Sequence, residues 1–224
     1  MYKLTAHGAR GSAPVCGEQA LRYGGDTTCF SLTTPDTMVI VDAGTGICSL
    51  GDRLAKQATR NILILFTHFH LDHLIGLPGF QPLYDPRSEI TLFGDATHPA
   101  GWQETLGAFM RTPFWPVSLE ALPARPAFDD LAPGGGPLRV GDAEIRWCPL
   151  NHPQGCLAFR IDGPQQSWAI VTDHECGDPA IDSRLRDFCD HVDVLVCDAH
   201  YTPKEYPAHR DCNRPPLCLV CAAY

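Results

Sequence analysis

The chain has 224 residues, 44% hydrophobic and 19% charged, which suits one globular domain or two intimately packed halves, since single cores grow to roughly 250 residues before splitting. No apolar run approaches the roughly 20 residues a bilayer-crossing helix needs, so no transmembrane helix is expected. Seventeen Lys and Arg against 26 Asp and Glu leave a net charge of −9, which disfavours an extended nucleic-acid-binding surface but allows a small anionic substrate held by metal.

Taken in order, the segment Met1-Tyr2-Lys3-Leu4-Thr5-Ala6-His7-Gly8 reaches glycine too early to supply the 7–15 apolar residues of a secretory signal. The cytoplasm is therefore the default compartment. Short apolar runs bounded by Gly, Pro and Asp predict strands over Met38–Val41, Ile62–Phe66, Glu89–Phe93, Glu144–Cys148, Leu157–Ile161, Trp168–Val171 and Val192–Val196. Helices are predicted over Ser49–Ala58, after the Gly44-Thr45-Gly46 turn, over Trp102–Met110, and over Pro179–Cys189, where Asp178 caps and Pro179 fits the first turn. This mixture implies a sheet core with helices outside. The Pro- and Gly-rich stretch Thr112–Gly136 reads as a connection between two halves. Eleven cysteines make an odd set; Cys16, Cys29, Cys48, Cys148, Cys156, Cys176, Cys189 and Cys197 are scattered singly and read as reduced packing residues.

The densest chemistry follows the apolar run Ile62–Phe66. Thr67-His68-Phe69-His70-Leu71-Asp72-His73 sets three imidazoles and a carboxylate where a strand leaves its sheet, a usual place for functional groups. His68 and His70 alternate around Phe69 and can face one side, while adjacent Asp72 and His73 can reach a second centre beside the first. Two further strand ends offer partners: His152 in Leu150-Asn151-His152-Pro153, and Asp173 in Thr172-Asp173-His174, where a carboxylate is placed to bridge two cations. Singly, each of these would more often be a cap or turn residue; the upstream cluster gives them weight.

The run His68-Phe69-His70-Leu71-Asp72-His73 resembles the H-x-H-x-D-H signature of the metallo-β-lactamase superfamily. Gly8-Ala9-Arg10-Gly11-Ser12, Gly24-Gly25-Asp26-Thr27-Thr28-Cys29, Asp42-Ala43-Gly44-Thr45-Gly46 and Thr172-Asp173-His174 make the likeness strongest to the branch of ribonuclease Z and cyclic-phosphate phosphodiesterases. It extends over residues 1–210. The resemblance implies an α+β fold, an αββα sandwich of two mixed sheets face to face with outer helices and the site along one edge. It implies two Zn²⁺, with Mn²⁺ or Fe²⁺ as substitutes: one held by His68, His70 and His152, the second by Asp72 and His73, with Asp173 bridging. Two cations roughly 3.5–4 Å apart lower the pKa of a shared water and stabilise charge on an attacked phosphorus. The implied nucleophile is a metal-bridging hydroxide, and Asp72 the catalytic residue that orients it or takes its proton. Asp42 is read as a buried support or turn residue, and Gly44-Thr45-Gly46 as a tight turn rather than a phosphate loop.

Departures from the branch shape the rest of the reading. Asp26 stands where Asn is usual and is taken as structural. Val196-Cys197-Asp198-Ala199-His200-Tyr201-Thr202 resembles an acidic-x-x-x-Thr motif whose acid orients a catalytic histidine, a role that would fall to Asp198. That histidine, expected in a Gly-His-Ser motif after His209-Arg210, and a later zinc-binding histidine do not follow Asp211; a Cys- and Pro-rich segment does. The expectation is a single domain over 1–211 followed by an atypical tail over 212–224, truncated or altered in frame, with the last strand and helix of the second half missing. An open sheet edge would then invite pairing with another chain, so a homo-oligomer is among the options. His174, His200 and His209 are read as exposed or hydrogen-bonded rather than as replacements.

The expected activity is that of a metal-dependent phosphodiesterase on a small or cyclic phosphodiester, with nucleic acid disfavoured as partner and no membrane. The alternatives are a ribonuclease Z-like tRNA-processing nuclease, against which stands a gap of only 20 residues between His152 and Asp173 where that family inserts its substrate arm, and a catalytically impaired metal-binding fragment.

Overall fold

β-branched and aromatic runs between turn residues form eleven strands in the computed structural model, which describes residues 2–57 and 61–198. The chain divides into two units, Met1–Leu131 and Ala132–Tyr224, each built on its own mixed sheet.

In the first unit β1 (Lys3–Gly8), β2 (Cys29–Thr33), β3 (Thr37–Val41), β4 (Asn61–Leu65), β5 (Glu89–Asp95) and β6 (Ala127–Leu131) lie side by side in chain order. The first three are antiparallel, and β3 to β6 run parallel. Parallel neighbours need a crossover, and α1 (Gly46–Leu54) and α2 (Trp102–Phe109) lie in two of the connections. Ile47, Leu50 and Leu54 share one face of α1, and Trp102 and Leu106 one face of α2. They close a core with the alternate residues Met38 and Ile40 of β3, Ile62 and Ile64 of β4, and Ile90 and Leu92 of β5. Register pairs Val41 with Leu65, and Leu65 with Phe93. The chain segments following β3 and β4 therefore emerge together at one edge.

The second unit orders its strands β11 (Val194–Cys197), β10 (Ser167–Val171), β9 (Cys156–Asp162), β8 (Ala143–Leu150) and β7 (Leu138–Val140). All pairs are antiparallel except β10 with β11, which are joined through α3 (Pro179–Cys189). Because β9 lies antiparallel between β8 and β10, those two strands end at the same edge, and β11 ends there as well. α3 begins where the sequence predicts: the Asp178 carboxylate accepts from the N–H groups of Ala180 and Ile181, ahead of Pro179. Its Leu185 and Cys189 pack on Leu150, Cys156, Ala158, Ala169 and Val171.

The seven predicted strands are present with ends shifted by a few residues; β1, β2, β6 and β7 are additional. Their sequences, KLTAHG, CFSLT, AFDDL and LRV, are short or polar, and pairing with neighbours rather than intrinsic preference makes them strands. α1 opens at Gly46, inside the predicted turn, and ends at Leu54; Ala58 lies outside the described residues. The predicted connection Thr112–Gly136 holds both β6 and the boundary between units. Seven of the singly spaced cysteines are free thiols, whereas Cys197 is joined in a disulfide, contrary to expectation. Among the described residues no helix is long and apolar enough to cross a membrane. The expected loss of a final strand and helix, and the tail over 212–224, fall outside the described residues.

One contact ties β1 to β2 and α1. His7 Nδ1 lies 2.9 Å from the Arg53 guanidinium and Nε2 lies 2.7 Å from Ser31 Oγ. Arginine only donates, so Nδ1 accepts and Nε2–H donates to Ser31. Burial, reinforced by the Arg53 charge, lowers the His7 pKa to about 4. As pH falls below the unfolded value near 6.5 the unfolded chain takes up a proton that the folded chain refuses, so stability declines between pH 6.5 and about 4. Urea titrations across that range should show this decline in the wild type and a shallower one in His7→Gln.

Candidate metal centre

The site of the first unit is built on a carboxylate that has no exposure to solvent. Asp42 follows β3 in the left-handed region, φ 63°, a conformation Asp tolerates better than most residues, and is 0% exposed. Thr67, just past β4, donates its backbone N–H to Asp42 Oδ1 and its hydroxyl to Oδ2, each at 2.8 Å. Both oxygens thus accept, so the carboxylate also accepts from His73 Nδ1–H at 2.7 Å. Burial raises the Asp42 pKa, opposed first by His73 and then by the Thr67 bonds. The aligned ends of two parallel strands make this contact possible.

Those bonds set the tautomers. With its Nδ1 hydrogen on Asp42, His73 presents an Nε2 lone pair. The single hydrogen of the Thr67 hydroxyl is committed to Asp42, so its oxygen accepts from His68 Nδ1–H at 3.1 Å, and His68 presents Nε2 as well. Neutral imidazole with one nitrogen anchored and the other bearing a lone pair is the state a divalent cation requires. His68 and His73 are 4% and 1% exposed. Their rings lie 4.2 Å apart, and His68 lies 4.5 Å from His70, edge-on.

Local sequence explains the clustering. Extended backbone sends Phe69 the opposite way from its flanking histidines, onto Phe66, His98 and Trp102. The short helical turn Leu71–His73 then doubles the chain back, and His73 O accepts from Ala43 N–H. Gly44 sits so close to this turn that a Cβ would fall 2.4 Å from the Asp72 carbonyl, and one on Gly46 would fall 2.7 Å from the His7 backbone. Close packing accounts for this Gly-Thr-Gly sequence, as the tight-turn reading expects. Asp26 accepts from the Thr45 hydroxyl at 2.9 Å, a role the Asn of the resembling branch would also fill. Asp72 Oδ2 accepts the Ser12 N–H at 2.7 Å and stands 3.8 Å from His73 Nε2.

In the second unit His152 and Asp173 follow β8 and β10, at one edge of that sheet. His152 is buried. Asp173 adopts φ 59° and its N–H donates to Asp198 Oδ2 at 2.6 Å. Asp198 thus supports a candidate ligand directly; the catalytic histidine that the resemblance would have it orient does not follow Asp211 in this sequence, and His200 and His209 lie outside the described residues. His174 is hydrogen-bonded to Asp182 at 2.9 Å, the fate expected for it. The first unit brings together His68, His70, Asp72 and His73 over Asp42, and the second sets His152, Asp173 and Asp198 along one edge. Thr67 and Ser12 were not singled out from sequence: a threonine before the motif is an ordinary residue, and Ser12 acts through its backbone from 60 residues away.

Asp42→Asn keeps the left-handed backbone but turns an amide N–H₂ toward one of the three donors. Divalent-metal affinity, read by chelator competition, should fall about 10–100-fold, and urea unfolding should show a loss of about 1–3 kcal/mol. Unchanged affinity would mean that the histidine tautomers do not depend on this carboxylate.

Residues 37–215 match the family model described as the beta-lactamase superfamily domain. Among curated relatives, the Mycobacterium tuberculosis protein Rv1339 is 25% identical over 200 residues, covering 80% of this chain and 63% of that protein. A ribonuclease Z of Clostridium acetobutylicum is 24% identical over 153 residues, covering 65% of this chain and 47% of that enzyme. The chain thus spans less than two thirds of the length of these relatives. The crystal structure of the metallo-beta-lactamase fold protein YhfI from Bacillus subtilis superposes with a TM-score of 0.67 at 17% identity, covering 90% of this chain and 72% of that one. With two mixed sheets, a histidine- and aspartate-rich strand end of metal-ligating type and a family match over most of its length, the chain belongs to the beta-lactamase superfamily and has the metallo-β-lactamase fold.

Proposed function

We propose that this protein is a metal-dependent phosphodiesterase acting on a small or cyclic phosphodiester. The observation that carries the reading is the Asp42–Thr67 pair, which anchors His68 and His73 through Nδ1, with the Asp72 carboxylate 3.8 Å from His73 Nε2. In this proposal His68, His70 and His152 hold one divalent cation, Asp72 and His73 a second, and Asp173 lies between them; Zn²⁺ suits the nitrogen- and oxygen-rich donor set, and Mn²⁺ or Fe²⁺ are accepted by the same groups. When bound, such a pair lowers the pKa of a coordinated water toward neutrality and offsets charge on phosphoryl oxygens. Asp72, fixed through Ser12 N–H, orients the attacking water and takes its proton. The Thr67–Asp42 contacts hold the Nδ1 hydrogens of both rings and so fix which nitrogen each turns toward a cation.

Support for phosphodiester chemistry comes from the Gly8–Ser12 and Thr172–His174 motifs and from the relative named ribonuclease Z. A net charge of −9 and the 20-residue gap between His152 and Asp173 favour a small substrate over tRNA. The nuclease reading keeps its place because of that same relative.

Purified protein should carry about two divalent ions per chain and hydrolyse bis-p-nitrophenyl phosphate, with activity lost to EDTA and regained with Zn²⁺ or Mn²⁺. Asp72→Ala should lower kcat about 10²–10⁴-fold. Full activity in that variant would refute the role of Asp72, no turnover even in added Mn²⁺ would favour the impaired metal-binding reading, and faster cleavage of precursor tRNA than of small diesters would favour the nuclease.

A further inference from the structure

Asn151 has no part in the ligand set above, yet it makes three hydrogen bonds to the residues immediately following Asp173. Its backbone N–H donates to His174 Nδ1 at 3.4 Å, its side-chain Nδ2–H donates to the Glu175 carbonyl at 2.8 Å, and its own carbonyl accepts from Glu175 N–H at 2.8 Å. Asn151 adjoins His152, and His174 adjoins Asp173. The three bonds therefore join the two loops at the residues next to both candidate ligands.

The brace continues outward. Because His174 Nδ1 accepts from Asn151, its hydrogen resides on Nε2 and donates to Asp182 Oδ1 at 2.9 Å. Asp182 Oδ2 accepts from Gly177 N–H at 3.0 Å, and Asp182 N–H donates to the Asp178 carbonyl within the first turn of α3. His174, Cys176 and Asp182 gather donor atoms within 4.8 Å of one another. With both ring nitrogens engaged, however, this cluster is a hydrogen-bonded support rather than a second metal site. On the far side of Asp173, Asp198 takes its backbone N–H. His174 is 2% exposed and His152 9%, while Asn151 and Glu175 are half-buried, so the bonds of Asn151 are partly screened from competing water.

We propose that Asn151 is the positioning residue of the second unit, locking the turn that bears His152 to the loop that bears Asp173 so that both ligands are presented at a fixed separation. The inference rests on the ligand set proposed above. Its physical basis is that supporting hydrogen bonds hold metal ligands at their coordination geometry, and removing them weakens metal binding while leaving the donors in place.

The test is Asn151→Asp, which keeps size and backbone bonds but sets a carboxylate oxygen against the Glu175 carbonyl, with Asn151→Ala as a variant that removes the donor without repulsion. Chelator competition with Zn²⁺ and Co²⁺ should show affinity about 10–100-fold weaker, and the visible spectrum of the Co²⁺ protein should shift, with KM for bis-p-nitrophenyl phosphate at saturating metal within about twofold of wild type, since no substrate contact is lost. Arg160→Met separates positioning from general destabilisation: Arg160 donates to the carbonyls of Phe188 and Asp190 in the same unit, away from both loops, so it should lower Tm without changing metal affinity. Wild-type affinity and spectrum in both Asn151 variants, or an equal loss in Arg160→Met, would overturn the proposal. A wild-type protein that binds no metal would instead overturn the proposed function itself.

Discussion

The candidate ligands of the first unit depend on one buried carboxylate. Asp42 stands at the end of β3, fully enclosed, and receives two bonds from Thr67 and one from His73. An unpaired charge in such a place would cost several kcal/mol, and three well-directed donors offset that cost. In return the carboxylate aligns the exits of two parallel strands and anchors Nδ1 of His73 directly and of His68 through Thr67. Parallel register places the ends of β3 and β4 side by side, which an antiparallel pair would not do.

The second unit uses the same device on its own sheet. Asp198, after β11, takes the N–H of Asp173, and Asp182, in the first turn of α3, takes the Nε2–H of His174. In both units a carboxylate from a neighbouring element holds a loop that leaves a strand carrying candidate ligands. Left-handed φ values at Asp42 and Asp173 mark the two places where a strand turns sharply into such a loop, a conformation that persists only where surrounding bonds over-determine it.

Much of this arrangement was legible in the residues. Ile62–Phe66 reads as a buried strand because five consecutive apolar residues leave few other options, and Asp178-Pro179 announces a helix start by a local rule of capping and fixed φ. β1 and β6 were not legible: KLTAHG and AFDDL lack the pattern of a strand and become strands because a neighbouring edge supplies hydrogen bonds. The start of α1 was placed too late because Gly46 was read as a turn residue, whereas its lack of Cβ answers a close approach to the His7 backbone.

The sequence by itself determined the chemistry on offer: three imidazoles and a carboxylate at one strand end, with a histidine and an aspartate at two others, because ligand type and spacing after a strand are local properties. Only the tertiary structure decided which nitrogen each imidazole presents. Tautomer choice depends on what the opposite nitrogen meets, and that partner, Asp42 for His73, comes from 31 residues away. The work of Ser12 and Asn151 is likewise visible only in the folded chain: Ser12 acts through a backbone N–H that every residue carries, and the Asn151 backbone and side-chain amide find partners more than twenty residues away.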